Sequence, residues 1–171
     1  MNMKIVTTRF GELEIDASRI IEMRGSGILG FEHLRRFVLL MHSEKIPLVW
    51  FQSLDDGAVA FVMVNPFFIN SDYQPEIGDH EVKMLEIEKP DDVLLLSIVT
   101  IRSNHSTVTA NFRAPVVINA VKRLAMQIVL ENPDYPVRYV LQNNSVSMED
   151  GVGRDEKDLS NLRMLSHAGD V

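Results

Sequence analysis

Short apolar runs, alternating or unbroken and set off by turn formers, fill most of the chain. "MKIVTT" and "GELEID" alternate apolar and polar positions on either side of Gly11, the pattern of two half-buried strands joined by a turn. "RIIEM" has the make-up of a third strand. "RRFVLLM" ends in a continuous apolar run, and "PLVWFQSL" follows with Pro47 suited to a strand's first position. "AVAFVMV" is framed by Asp55-Asp56-Gly57 and Asn65-Pro66, and "DDVLLLSIVTI" by Pro90-Asp91-Asp92 and Ser103-Asn104, so both read as core strands. "STVTANF", "PVVIN" and "AMQIVL" continue the series, and "VRYVL" closes it after the turn "ENPDYP". "NPFFINSDYQPEIGDHE", with Pro66 and Pro75, reads as a long surface connection. Helix is expected only for about one turn near "FEHLRR" and over "HEVKML", where "EVKMLEIE" also fits a strand. The prediction is a mostly β fold, a small antiparallel β-barrel-like domain or sandwich with few short helical turns, over residues 1–142.

After Leu141 the pattern ends. Residues 143–171 are polar and acidic and read as a flexible tail, although Leu159, Leu162 and Leu165 recur at helical spacing. The chain's 171 residues, 46% of them hydrophobic, suffice for one packed domain. No apolar run approaches the roughly 18–20 residues of a membrane span, and the first residues lack the apolar core of a secretory signal. Cysteine is absent, which removes disulfides and thiolate chemistry. A cytoplasmic protein that contacts no membrane is the simplest expectation. The formal net charge of −7 argues against direct nucleic-acid binding and suits a basic protein partner.

Candidate chemistry is thin. Gly25, Gly27 and Gly30 have the G-x-G-x-x-G spacing of a dinucleotide-binding turn. The residues after Gly30 offer too little helical face, however, and no acidic residue closes a second strand about 20 positions on. A turn needing positive φ explains the glycines better. The five histidines include no i, i+4 pair, and Asp79-His80-Glu81 cannot share one face of a helix or strand, so no metal is expected. Ser26 lies in "GSG", not in a G-x-S-x-G elbow, and the acid pairs Asp55-Asp56 and Asp91-Asp92 suit turns. Neither an enzyme nor a cofactor is expected.

Two stretches stand out. In "TANFRAPVVIN", Pro115 cannot donate to a sheet ladder, so the strand is bulged, starts late or lies at an edge. An edge would let another chain dock there; a buried strand with a structural bend is the alternative. Phe67 and Phe68 adjoin a loop. They are expected to be buried as caps on the barrel; exposed, they would form a partner patch.

"TRFGELEI", "GILGFE", "FQSLDD", "AFVMVNPF", "TANFRAPVVIN" and "QIVLENPDYPVR", in that order, resemble the FliW flagellar assembly factor family over about residues 3–141. Phe51 and Phe112 stand where that family commonly has leucine. The resemblance implies a small, largely antiparallel β-barrel without catalysis, metal or cofactor. It also implies binding, in mutually exclusive fashion, of the translational repressor CsrA and flagellin. By such binding the chain would antagonise the repressor and couple flagellin synthesis to export. A monomer is the expectation for the chain itself. The family's motif segments put the candidate partner contacts at Phe51 and Gln52, at Asn65, Pro66 and Phe67, and between Asn111 and Asn119, including Ala114 and Pro115. The alternative is a small β-barrel enzyme or ligand-binding domain with a pocket near Gly25 to Gly30.

Overall fold

In the computed structural model the structure describes residues 1–43, 46–102 and 107–141. The expected first hairpin is there. β1 (Asn2–Thr7) and β2 (Gly11–Asp16) pair antiparallel from Asn2↔Asp16 to Thr7↔Gly11 as a separate two-stranded sheet. The remaining strands are β3 (Ile21–Met23), β4 (Arg36–Ser43), β5 (Ile46–Ser53), β6 (Ala60–Val64), β7 (Val93–Ile101), β8 (Val108–Ala110), β9 (Val116–Asn119), β10 (Leu124–Gln127) and β11 (Tyr139–Val140). They form one sheet in the order β11-β8-β7-β6-β5-β4-β3-β10-β9, and a further β7–β9 pairing closes seven of them into a barrel. All ladders are antiparallel except β3–β10, where Leu124 faces Glu22 and Ala125 faces Met23 in parallel. The tail proposed for residues 143–171 lies outside the described residues.

Alternation along the strands sorts the core into three compartments. Inside the barrel lie Ile21, Phe37, Phe51, Met63, Leu96, Ile118 and Ala125, one from each of the seven strands. Phe37 and Phe51 stack there with ring centroids 4.3 Å apart. The alternate residues of β4, Val38 and Leu40, face outward, where Phe10, Ile15 and Trp50 cover them beneath the β1–β2 hairpin. This two-sided burial explains why "FVLL" is unbroken rather than alternating. A third cluster, with Val64, Leu95, Val117 and Met126, lies on the barrel's outer wall under Tyr73 and Leu85 of the 65–92 connection.

The helical turn expected at "FEHLRR" is a lone turn, with the Leu34 amide donating to the Phe31 carbonyl. It stops because the amides of Arg35 and Arg36 both donate to the Asp55 carboxylate, at 2.7 and 2.8 Å, which sends the chain into β4. The Arg36 guanidinium adds a 2.8 Å contact to the same carboxylate. Farther on, the "HEVKML" expectation holds: α1 (Asp79–Met84) is a short helix that ends where Glu86 takes φ 52°.

Burial pushes the Asp55 carboxyl up, but the Arg35 and Arg36 amides and the Arg36 guanidinium outweigh it and hold the group below its usual value. A depressed acid contributes stability above its unfolded pKa, and that contribution disappears as pH falls through the folded value. We predict that Asp55→Asn costs stability at neutral pH and that the difference from wild type shrinks as pH falls below about 4. Urea unfolding at several pH values measures this.

Candidate functional site

The stretch "TANFRAPVVIN" is one strand broken in the middle. β8 and β9 lie on the same edge of β7, with Val99 facing Ala110 and Leu96 facing Val116. Only Ser97 and Ile98 separate those β7 positions, while Asn111 to Pro115 separate the partners, so the surplus residues bulge out. β8 is paired by β7 and β11, and β9 by β7 and β10, so the structure selects the bent, buried strand over the docking edge.

From Phe112 to Pro115 every backbone N–H and C=O of the bulge finds a partner, the Ala114 carbonyl accepting from Gln127 Nε2. Asn111 Oδ1 accepts from the amides of Arg113 and Ala114. The Phe112 amide donates to the Pro136 carbonyl, and its own carbonyl accepts the Tyr73 hydroxyl at 2.6 Å. Arg113 Nε donates to the Tyr135 carbonyl, and the amides of Ile128 and Leu130 donate to Pro115 and Arg113. The bulge therefore holds the 65–92 connection, the segment after β10 and the 135–136 turn together. Tyr73 is only 1% exposed and packs on Phe112 and Tyr135. Burial raises its hydroxyl's pKa, which keeps it a donor. Within a stretch expected to be surface, this anchor has no sequence signal beyond its aromatic type.

An apolar groove of about 750 Å³ runs between the connection and the barrel wall. Its walls include Phe67, Tyr73, Ile77, Val82, Ile87 and Leu94. The expectation that Phe67 and Phe68 are buried is overturned: they are 45% and 63% exposed. Asn65 Oδ1 accepts from the Phe67 amide and Pro66 fills the turn's first position; Phe67 lines the groove with its ring centroid 5.9 Å from that of Tyr73, and Phe68 follows it into solvent. Acidic residues dominate this flank, with Glu76, Asp79, Glu81, Glu86, Glu88 and Asp91 set against Lys83 and Lys89.

Of the candidate contacts, Phe67 is exposed, and Asn65 and Asn111 are partly so. The other six candidates are buried and serve the fold. Phe51 fills the barrel, Pro66 starts its turn, and Ala114 and Pro115 lie in the bulge. Gln52 Nε2 donates to the carbonyls of Ser53 and Val59 and tightens the β5–β6 turn. Asn119 Nδ2 donates to the carbonyls of Leu85 and Glu86 and ties down the end of α1, while its Oδ1 accepts from the Val121 and Lys122 amides.

The glycine stretch forms a turn. Gly25, Gly27 and Gly30 all have positive φ, and the Gly25 carbonyl accepts from Arg35 Nη1 at 2.8 Å. The Gly30 amide, which a phosphate would need, is taken by the Glu32 carboxylate at 2.9 Å, and that bond holds the Glu32 pKa low. The two cavities described, the apolar groove and a neighbour discussed below, lie elsewhere. Among the described residues no three His, Asp or Glu side chains group as a metal site, and no helix is long and apolar enough to cross a membrane.

The geometry defines a small closed β-barrel with a groove-bearing flank. A FliW protein family model matches residues 4–141. The chain is 54% identical over 142 residues to the flagellar assembly factor FliW of Syntrophus aciditrophicus, covering 83% of this chain and 89% of that one. It is 38% identical over 139 residues to the FliW of Thermosipho africanus, covering 81% and 95%. A crystal structure of the flagellar assembly factor FliW superposes with a TM-score of 0.74 at 34% identity, covering 81% of this chain and 96% of that one. This chain belongs to the FliW family of flagellar assembly factors.

Burial separates the candidates by the effect of removing them. Asn119→Ala leaves the buried Leu85 carbonyl and three part-buried backbone groups without their partner and should cost roughly 2–3 kcal/mol of stability. Phe67→Ser, at an exposed position, should change it by no more than about 0.5 kcal/mol. Equilibrium denaturation of both variants checks the contrast.

Proposed function

We propose that this chain is a cytoplasmic, monomeric binding protein rather than an enzyme. It binds and antagonises the translational repressor CsrA, binds flagellin as a chaperone, and makes the two exclusive of each other. Free chain sequesters the repressor and relieves repression. Flagellin that accumulates takes the chain away, so synthesis follows export. Membership of the FliW family supports this reading.

The observation that carries it is Phe67, half exposed where it lines an apolar groove on an acidic flank, with the exposed Phe68 next to it in the chain. An exposed aromatic pair beside an apolar channel suits the amphipathic segment of an unassembled partner. The acidic surface suits an RNA-binding protein, whose basic face it attracts and whose hold on RNA it weakens through charge without itself touching nucleic acid. Asn65 and Asn111, the other candidates with exposed surface, flank these segments and belong to the proposed contact region.

Isothermal titration with CsrA of the same cell, with and without flagellin and at two salt concentrations, tests the reading. Saturable binding that flagellin abolishes and salt weakens is expected; no binding to either protein would overturn it. Phe67→Ser combined with Phe68→Ser should weaken flagellin binding by about tenfold or more, as expected for central aromatic contacts.

A further inference from the structure

The segment that follows β10 is an unfinished strand. Ile128 and Leu130 are buried, and their amides donate to Pro115 and Arg113 across the bulge. Val129, between them, points outward and is 58% exposed. In an antiparallel ladder the intervening residues present their N–H and C=O to the opposite edge. There β3 ends: its parallel pairing reaches Ala125, whose carbonyl takes the Arg24 amide, and the Gly25–Gly30 turn then carries the chain away. Among the described residues, Val129 and Glu131 neither donate nor accept a backbone hydrogen bond. The barrel thus carries a short open edge at Val129 and Glu131, which Pro133, next in the same alternation, brings to an end.

A cavity of about 810 Å³ adjoins this segment, lined by residues 128–132 and Tyr135 and, across from them, by Gln74, Glu76, Ile77, Gly78 and Glu81. Glu76, Glu81 and Glu131 line it, and no lysine or arginine does. The cavity meets the apolar groove at Gln74 and Ile77 but is chemically distinct from it.

We propose that this edge receives an extended basic segment of a partner protein, added as a further strand. Backbone pairing to Val129 and Glu131 holds the segment, its lysines or arginines meet Glu76, Glu81 and Glu131, and an apolar side chain packs on Val129. An acidic or neutral strand satisfies the same ladder but not the carboxylates, so charge selects the occupant. The proposal rests on reading the chain as a binding protein and adds the mode and the chemistry of one partner contact.

The probes are an octapeptide alternating lysine and valine and its twin alternating glutamate and valine, added to the full chain. Amide hydrogen exchange at Val129 and Glu131 is the readout. The lysine peptide should bind saturably and slow both amides by about tenfold or more, and the glutamate twin should not. Val129→Pro removes an N–H the native ladder does not use, so it should abolish binding while leaving the unfolding midpoint near wild type. The double variant Glu76→Lys, Glu131→Lys, at two exposed positions, should reverse the preference between the peptides and serves if the proline variant fails to fold. No binding of the lysine peptide, binding that leaves both amides unprotected, or binding that survives Val129→Pro would overturn the proposal. Failure of CsrA and flagellin to bind the wild type would instead overturn the preceding reading without changing the exchange result, so the two failures are distinguishable.

Discussion

β7 must pair on one edge with two pieces of a single strand, and the rest of the flank depends on how that strand is broken. The first half of β7 meets β9, its end meets β8, and the residues between them have no place in the ladder. Pro115 has no N–H to offer, and Asn111 satisfies the next two free amides. What the bulge leaves over, the Phe112 carbonyl and amide and the Arg113 and Pro115 carbonyls, recruits Tyr73, Pro136 and the strand after β10. A ladder defect of this kind costs little because its backbone groups from Phe112 to Pro115 are paired again, and the same bonds position three surface segments at once.

The surface follows from that anchoring. Tyr73 draws the long connection onto the barrel wall, and the remaining gap is an apolar groove. The strand beyond β10 pairs with the bulge on one side and with nothing on the other, which leaves an acid-lined edge. Two chemically different surfaces therefore lie side by side and share Gln74 and Ile77. Neighbouring surfaces with common residues give a physical basis for the proposed exclusion of one partner by another, by direct overlap or by repacking of the shared connection.

Much of the barrel was legible in the sequence because its strands are short, apolar and bounded by turn formers. The unbroken "FVLL" was a sound sign of burial on both faces, and Pro115 correctly marked an interruption. The sequence could not say how the barrel closes, since the parallel β3–β10 pairing joins residues about a hundred positions apart and depends on register. The turn at "FEHLRR" carries helical residue types, but a distant carboxylate, Asp55, claims the amides that a helix would continue through. Motif segments located important residues without saying which way they point. Gln52 and Asn119 proved to be buried bonds within the fold, and Phe67 and Phe68, expected inside, are outside. The open edge at Val129 was hidden altogether, because a missing neighbour leaves no mark in sequence.

The central claim is that partners meet the flank built around the bulge rather than the glycine turn or the β1–β2 hairpin. Backbone amide NMR of the isotopically labelled full chain, titrated with unlabelled flagellin, tests it most directly. The account predicts shift changes concentrated at residues 67–77, 82–93 and 128–132, with the hairpin unmoved. Changes concentrated at Gly25 to Gly30 or along β1 and β2, with the flank silent, would contradict it.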